Sequence, residues 1–89
     1  MQPFEPEETR CYIQHQLSVA GISFSVQFTV ESTGKIHDLS GGIPRMINVL
    51  CERAMMSAFI EGSRKIGVHN VVEGWESLNR TRTLGGRVL

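Results

Sequence analysis

The sequence is short of nearly everything that would mark a specialised class. It has two cysteines, Cys11 and Cys51, with no C-x-x-C pair. A disulfide scaffold of this size would carry more, so both thiols are expected to be reduced packing residues. His15, His37 and His69 stand singly, whereas zinc needs about four ligands at close spacing; no metal site is expected. Long apolar runs are missing, and none approaches the ~20 residues a membrane helix requires. Excess charge is missing too: nine Lys/Arg balance nine Asp/Glu, which disfavours a strongly basic nucleic-acid module or an acidic tail protein. The start, Met1-Gln2-Pro3-Phe4-Glu5-Pro6-Glu7-Glu8, is acidic and proline-punctuated, unlike a secretory signal. What remains is an ordinary globular balance, 40% hydrophobic over 89 residues, enough for one small domain of marginal stability.

The charge is unevenly placed. Residues 1–40 hold two basic and five acidic residues, and residues 41–89 hold seven and four. An anionic ligand is therefore sought in the second half. Periodicity and punctuation predict four helices. The first runs from about Pro6 to Val19, with Tyr12, Ile13, Gln16, Leu17 and Ala20 on one side and Gly21 as its stop. The second starts at an N-cap Thr29, presents Val30, Thr33, Ile36 and Leu39, and ends at Ser40-Gly41-Gly42. The third has Pro44 in its first turn, where proline is tolerated. Ile43, Ile47, Leu50, Cys51, Ala54, Met55 and Ala58 then recur at helical spacing up to Gly62. The last covers about Val68 to Leu78, with Val68, Val71, Val72, Trp75 and Leu78 on one face. Ile22 to Phe28 alternates like a strand but has no second strand to pair with, so it reads as an extended link. The fold expected is an all-α, small four-helix bundle, followed by a polar, glycine-containing tail.

Most catalytic patterns are absent. There is no phosphate loop, no G-x-S-x-G elbow and no H-E-x-x-H. Glu7 and Glu8 are adjacent and read as solvated. Cys51 lies on an apolar stripe and reads as a core thiol, and His37 as a surface or boundary residue. One segment does carry a chemical reading: Leu39-Ser40-Gly41-Gly42-Ile43-Pro44-Arg45-Met46-Ile47-Asn48. It places an arginine in the first turn of an amphipathic helix, where backbone N–H groups are unpaired and the helix dipole is positive. A guanidinium there adds a forked donor suited to phosphate oxygens, and the glycines permit close backbone approach. The same residues also read as a solvated arginine beside an N-terminal proline.

The sequence resembles a known family at two places. Glu8-Thr9-Arg10-Cys11-Tyr12-Ile13-Gln14-His15-Gln16-Leu17-Ser18-Val19-Ala20-Gly21 resembles the ET-x-x-YI-x-H-x-L-x-x-AG run of the ExeA-type (general secretion pathway protein A) AAA+ ATPases. The segment from Leu39 through Arg53-Ala54 resembles their SGGIPR-x-IN-x-LC-[DE]-RA stretch, and the likeness extends over about residues 3–78. It implies that residues 1–80 form the C-terminal helical lid of the ATPase module and residues 81–89 a flexible tail. By the resemblance Arg45 is the sensor-2 arginine, a catalytic residue reaching the γ-phosphate, while Gly42, Ile43 and Pro44 approach the base or ribose. Arg45 would then bind ATP differently from ADP and so drive lid closure, or stabilise transition-state charge.

The cofactor implied is ATP, with magnesium held by an α/β core that these residues do not contain. None is expected to be bound tightly by this chain, which alone should not hydrolyse ATP. The implied partners are that core, a ring of identical parent subunits, and a membrane secretion component. The implied location is the cytoplasm, with the parent attached to the inner membrane. Related AAA+ proteins of transposition systems carry a similar lid. Two other readings stay in view. One is a helical DNA-binding module using Arg45, Arg53, Arg64 and Lys65, disfavoured because the third helix offers few base-reading side chains beyond Asn48 and Arg53. The other is a partner-binding bundle using Met46, Met55 and Met56, of which methionine spacing predicts a mixture of core and surface.

Overall fold

A computed structural model describes residues 2–22 and 25–88, with side chains to residue 80. Four helices form in the order α1 (Pro6–Val19), α2 (Val30–Ser40), α3 (Pro44–Glu61) and α4 (Val68–Val88). Each boundary has a local cause. Pro6 opens α1, and the Glu8 carboxylate reaches back to accept the Glu5 N–H at 2.7 Å, a reciprocal use of the open first turn. The Thr29 hydroxyl caps α2 by accepting the Ser32 N–H at 3.0 Å. Gly41 (φ 65°) ends α2 and Gly62 (φ 76°) ends α3, both left-handed caps that glycine adopts without a Cβ penalty.

α3 is the central member. Its Ile47, Leu50, Ala54 and Ala58 are buried, and they meet Ile13 and Leu17 of α1, Ile36 of α2 and Val71 of α4 in a single core. The small α-helical bundle expected from periodicity is thus the fold, and Trp75 packs at the edge of its core. Among the described residues, no helix is long and apolar enough to cross a membrane.

Several expectations are corrected. The stretch ending at Phe28 is not a lone link: β1 (Gln27–Phe28) pairs in parallel with β2 (Lys65–Ile66), in the register Gln27↔Lys65 and Phe28↔Ile66. Parallel strands meet only after a long crossover, here α2 and α3, so the partner was invisible near Phe28. The Val26 N–H also bonds Ile22 O at 3.2 Å, turning the chain before the strand; residues 23 and 24 lie outside the described residues. In α2 the buried face is Ser32, Thr33, Ile36 and Ser40, while Val30 is 67% exposed. The hydroxyls bury cheaply because Ser32, Thr33 and Ser40 bond backbone carbonyls three residues back. Cys11 is exposed rather than buried; both cysteines are free. α4 continues past the stop expected at Leu78, its backbone helical through Val88. The side chains of the expected tail, residues 81–89, lie outside the described residues.

α3 and α4 pack closely because Gly74 gives α4 no side chain at the crossing. A Cβ there would stand 2.8 Å from the Arg53 Cβ and 3.1 Å from the Ala54 N. The helical periodicity of α4 gives no hint of this, since a glycine carries no hydrophobic signal.

Candidate functional site

The turn between α2 and α3 presents the arginine singled out in the sequence. The chain leaves α2 through two left-handed residues, Gly41 (φ 65°) and Gly42 (φ 77°). Ile43 then takes extended geometry as the N-cap, followed by Pro44 at the first helical position. Ile43 has no side-chain acceptor, so α3 begins uncapped, and no acidic residue lies in its first turn. The first inward bond is donated by the Ile47 N–H to Ile43 O at 2.9 Å. Proline has no N–H to offer, so the open donors at this end belong to Arg45 and Met46.

Arg45 is exposed. The ion pairs among the described residues are Arg10 with Glu7 and His69 with Glu61; neither involves Arg45. Arg45 therefore stands in the first turn of an 18-residue helix, at the positive end of its dipole, with no ion-pair partner among the described residues. Ile43 is 47% exposed beside it, and Pro44 is half-buried. Gly42 differs from its neighbours in being buried. Its carbonyl accepts the Phe4 N–H at 2.7 Å, and its N–H bonds the Ser40 hydroxyl at 3.1 Å. The close backbone approach that its glycine permits is, in this chain, an approach by Phe4.

Arg53, Arg64 and Lys65 are spread along and beyond α3 rather than gathered at Arg45. Arg53 is half-buried against α4, with its Nη1 3.5 Å from the Ser77 hydroxyl. Arg64 and Lys65 lie beyond the far end of α3, about 27 Å along an 18-residue helix from Arg45. Arg45 and the Arg64–Lys65 pair thus stand at opposite ends of α3. The methionines divide as their spacing predicts: Met55 packs on the core, whereas Met56 is 55% exposed. Burial pushes the Cys51 thiol up to about 12, leaving it protonated at neutral pH and unfit as a nucleophile. His37 is a boundary histidine as expected: half-buried, with its Nδ1 2.8 Å from the hydroxyl of the buried Thr9.

A groove of about 400 Å³ runs between α1 and α3, lined by Tyr12, Gln16, Leu17, Asn48, Cys51 and Met55 among others. It lies one turn along α3 from Arg45. Beyond it, Met56, Phe59 and Ile60 form an exposed apolar corner, the last two 84% and 81% exposed. The helix-three stripe did not flag them, because they fall outside the buried face.

His69 and Asn70, at the start of the last helix, belong to a polar network that the sequence pattern does not reveal. At the C-terminal end of α3, the buried Asn70 donates from Nδ2 to the Ser57 hydroxyl at 3.0 Å and to Glu61 Oε1 at 3.1 Å. Its Oδ1 accepts the Gly67 N–H at 3.0 Å, which satisfies the start of α4. His69 reaches the same Glu61 oxygen at 3.0 Å. The His69 hydrogen bond, then that of Asn70, hold the Glu61 carboxyl below its ordinary range. An asparagine three residues past a glycine was the available signal.

No family model matches the chain, and no solved structure matches it. Among curated proteins, General secretion pathway protein A of Aeromonas hydrophila is 42% identical over 64 residues, covering 72% of this chain. The chain spans 12% of that relative's length. Identity at this level over so much of an 89-residue chain is a relationship by descent, and it falls on the family that the two motifs resemble. This chain is therefore related in sequence to the general secretion pathway A proteins.

Proposed function

We propose that this bundle is the nucleotide-sensing lid of a secretion-type AAA+ ATPase, with Arg45 as the residue that meets the terminal phosphate. The observation that carries the reading is Arg45 itself: exposed, without an acidic partner among the described residues, at the uncapped start of α3. An arginine paired within the bundle would have no charge to spare for a ligand. Here the guanidinium and the open N–H groups point to an anion supplied from outside. Ile43 and Pro44 would flank the base or ribose, with Gly42 shaping the turn from beneath.

The bundle holds one side of such a site. The phosphate loop and the magnesium ligands belong to an α/β core, so ATP with its magnesium is bound between that core and this lid. Only ATP presents the terminal phosphate, so the lid closes on ATP and loosens on ADP. The parent would act as a ring in the cytoplasm, next to a membrane component of secretion; a transposition system could use the same lid. The test is turnover by this chain joined to its core. Arg45→Ala should lower ATP turnover or abolish the nucleotide-dependent change while the bundle stays folded. Unchanged kinetics would defeat the assignment.

A second reading, a protein-docking bundle, is favoured by the exposed Met56, Phe59 and Ile60. It predicts that Phe59→Ser leaves nucleotide response intact but weakens assembly of the parent.

A further inference from the structure

We infer that the extended segment before α1 is a strap that positions the Arg45 turn, fastened through the Phe4 N–H on the Gly42 carbonyl. The contact is made by backbone atoms of two segments 38 positions apart in the sequence. The N···O distance is 2.7 Å. The fit leaves no slack: a Cβ on Gly42 would collide with Phe4 O and lie 2.9 Å from Phe4 N. Gly42 is also in the left-handed region at φ 77°, so a side chain there is strained as well as crowded.

Two further contacts hold the same parts together. The Phe4 ring lies 5.2 Å from the Tyr12 ring, tilted at 60°, which seats the strap on α1. The Thr9 hydroxyl of α1 meets His37 of α2 at 2.8 Å, and the His37 ring edge faces the same space over Gly42, 3.2 Å from where a Cβ would stand. The strap and the first turns of α1 thus grip the α2–α3 junction three residues before Arg45. A shift of either side is resisted by the other, because the contact is between backbones and no side-chain torsion intervenes. The grip itself needs no nucleotide. Its consequence, that a phosphate held by Arg45 is felt in the segment leading into α1, rests on the reading proposed above. Phe4 and Gly42 act here as positioning residues, through the turn that carries Arg45.

Amide hydrogen exchange on the full 89-residue chain tests the strap directly. Phe4→Pro removes the donor, and Phe4→Ala removes the ring but keeps the N–H. Phe4→Pro should speed exchange at the Ile43 and Ile47 amides several-fold to about tenfold, the range expected from losing one hydrogen bond, with Val71 unchanged. Phe4→Ala should do so less. Unchanged Ile43 and Ile47 in the proline variant would overturn the strap, and so would equal effects from the two variants, which would assign the link to the ring. Gly42→Ala pushes from the other side and should expose the Phe4 amide to exchange; continued protection there would count against the strap. Magnesium-ATP separates the two readings. If it shifts the Arg45 signals but leaves the Phe4 amide unmoved, the coupling fails and the phosphate reading stands. If Arg45 never responds while the exchange effects appear, the phosphate reading fails and the strap stands.

Discussion

The two ends of α3 are opposites. At its C-terminal end, Gly62 caps the helix, and Ser57, Glu61, His69 and Asn70 satisfy one another. At its N-terminal end there is no side-chain cap, no acidic residue in the first turn, and an arginine with no ion pair among the described residues. One helix therefore carries a closed polar network at one end and an open cationic one at the other. A closed network spends its hydrogen bonds on the fold, and an open one keeps them for something else. The contrast separates an end whose polar groups are satisfied within the bundle from one that, on the reading proposed above, receives a ligand from outside.

The bluntest way to break the comparison is to remove the core that both ends share. Leu50 is fully buried in the middle of α3, and Leu50→Ala should cost about 2–5 kcal/mol. In thermal or denaturant unfolding both ends should be lost together. Gly74→Leu attacks the α3–α4 contact by overpacking a crossing that lacks room even for a Cβ, at about 1–3 kcal/mol. Its effect should fall first on the closed end, read as loss of protection at the Asn70 amide. Asn70→Ala leaves the Gly67 N–H without its acceptor in a part-buried position and should cost about 1–3 kcal/mol, measured by the shift in denaturation midpoint.

A gentler probe is pH. The Glu61 carboxyl is held below its ordinary range in the folded chain, first by His69 and then by Asn70. Its stabilising contribution is therefore complete above the carboxylate's unfolded pKa and disappears as pH falls through the lower folded value. The melting temperature should drop across the acid carboxylate range, and Glu61→Gln should flatten that part of the profile. Smallest of all in stability is Arg45→Ala, within about 0.5 kcal/mol as expected for an exposed side chain with no partner. A large loss there would mean that the open end is not open.

Much of this was written in local punctuation. Pro6, Thr29, Gly41, Pro44 and Gly62 mark helix ends by mechanisms that act within one turn, so α1, α2 and α3 could be read almost to the residue. Arg45 was legible for the same reason: its place in the first turn after a proline follows from sequence alone. What was not legible depends on partners distant in the chain. Phe28 and Ile66 pair across two helices. Gly74 matters only because Arg53 and Ala54 lie opposite. The tight neighbour of Gly42 is Phe4, 38 positions away, and no local pattern announces it. In α2 the hydroxyls of Ser32 and Thr33 are buried and Val30 is not, because their local bonds to backbone carbonyls remove the penalty that a hydropathy pattern assigns them.

The most direct test of the open end is a titration of the 89-residue chain with magnesium-ATP and magnesium-ADP, followed at Arg45 and repeated with Arg45→Ala. The account predicts weak binding, since one arginine and one helix end supply only part of a site. It also predicts a preference for ATP over ADP that vanishes with the substitution. Equal binding of both nucleotides, or nanomolar ATP binding that survives Arg45→Ala, would contradict it.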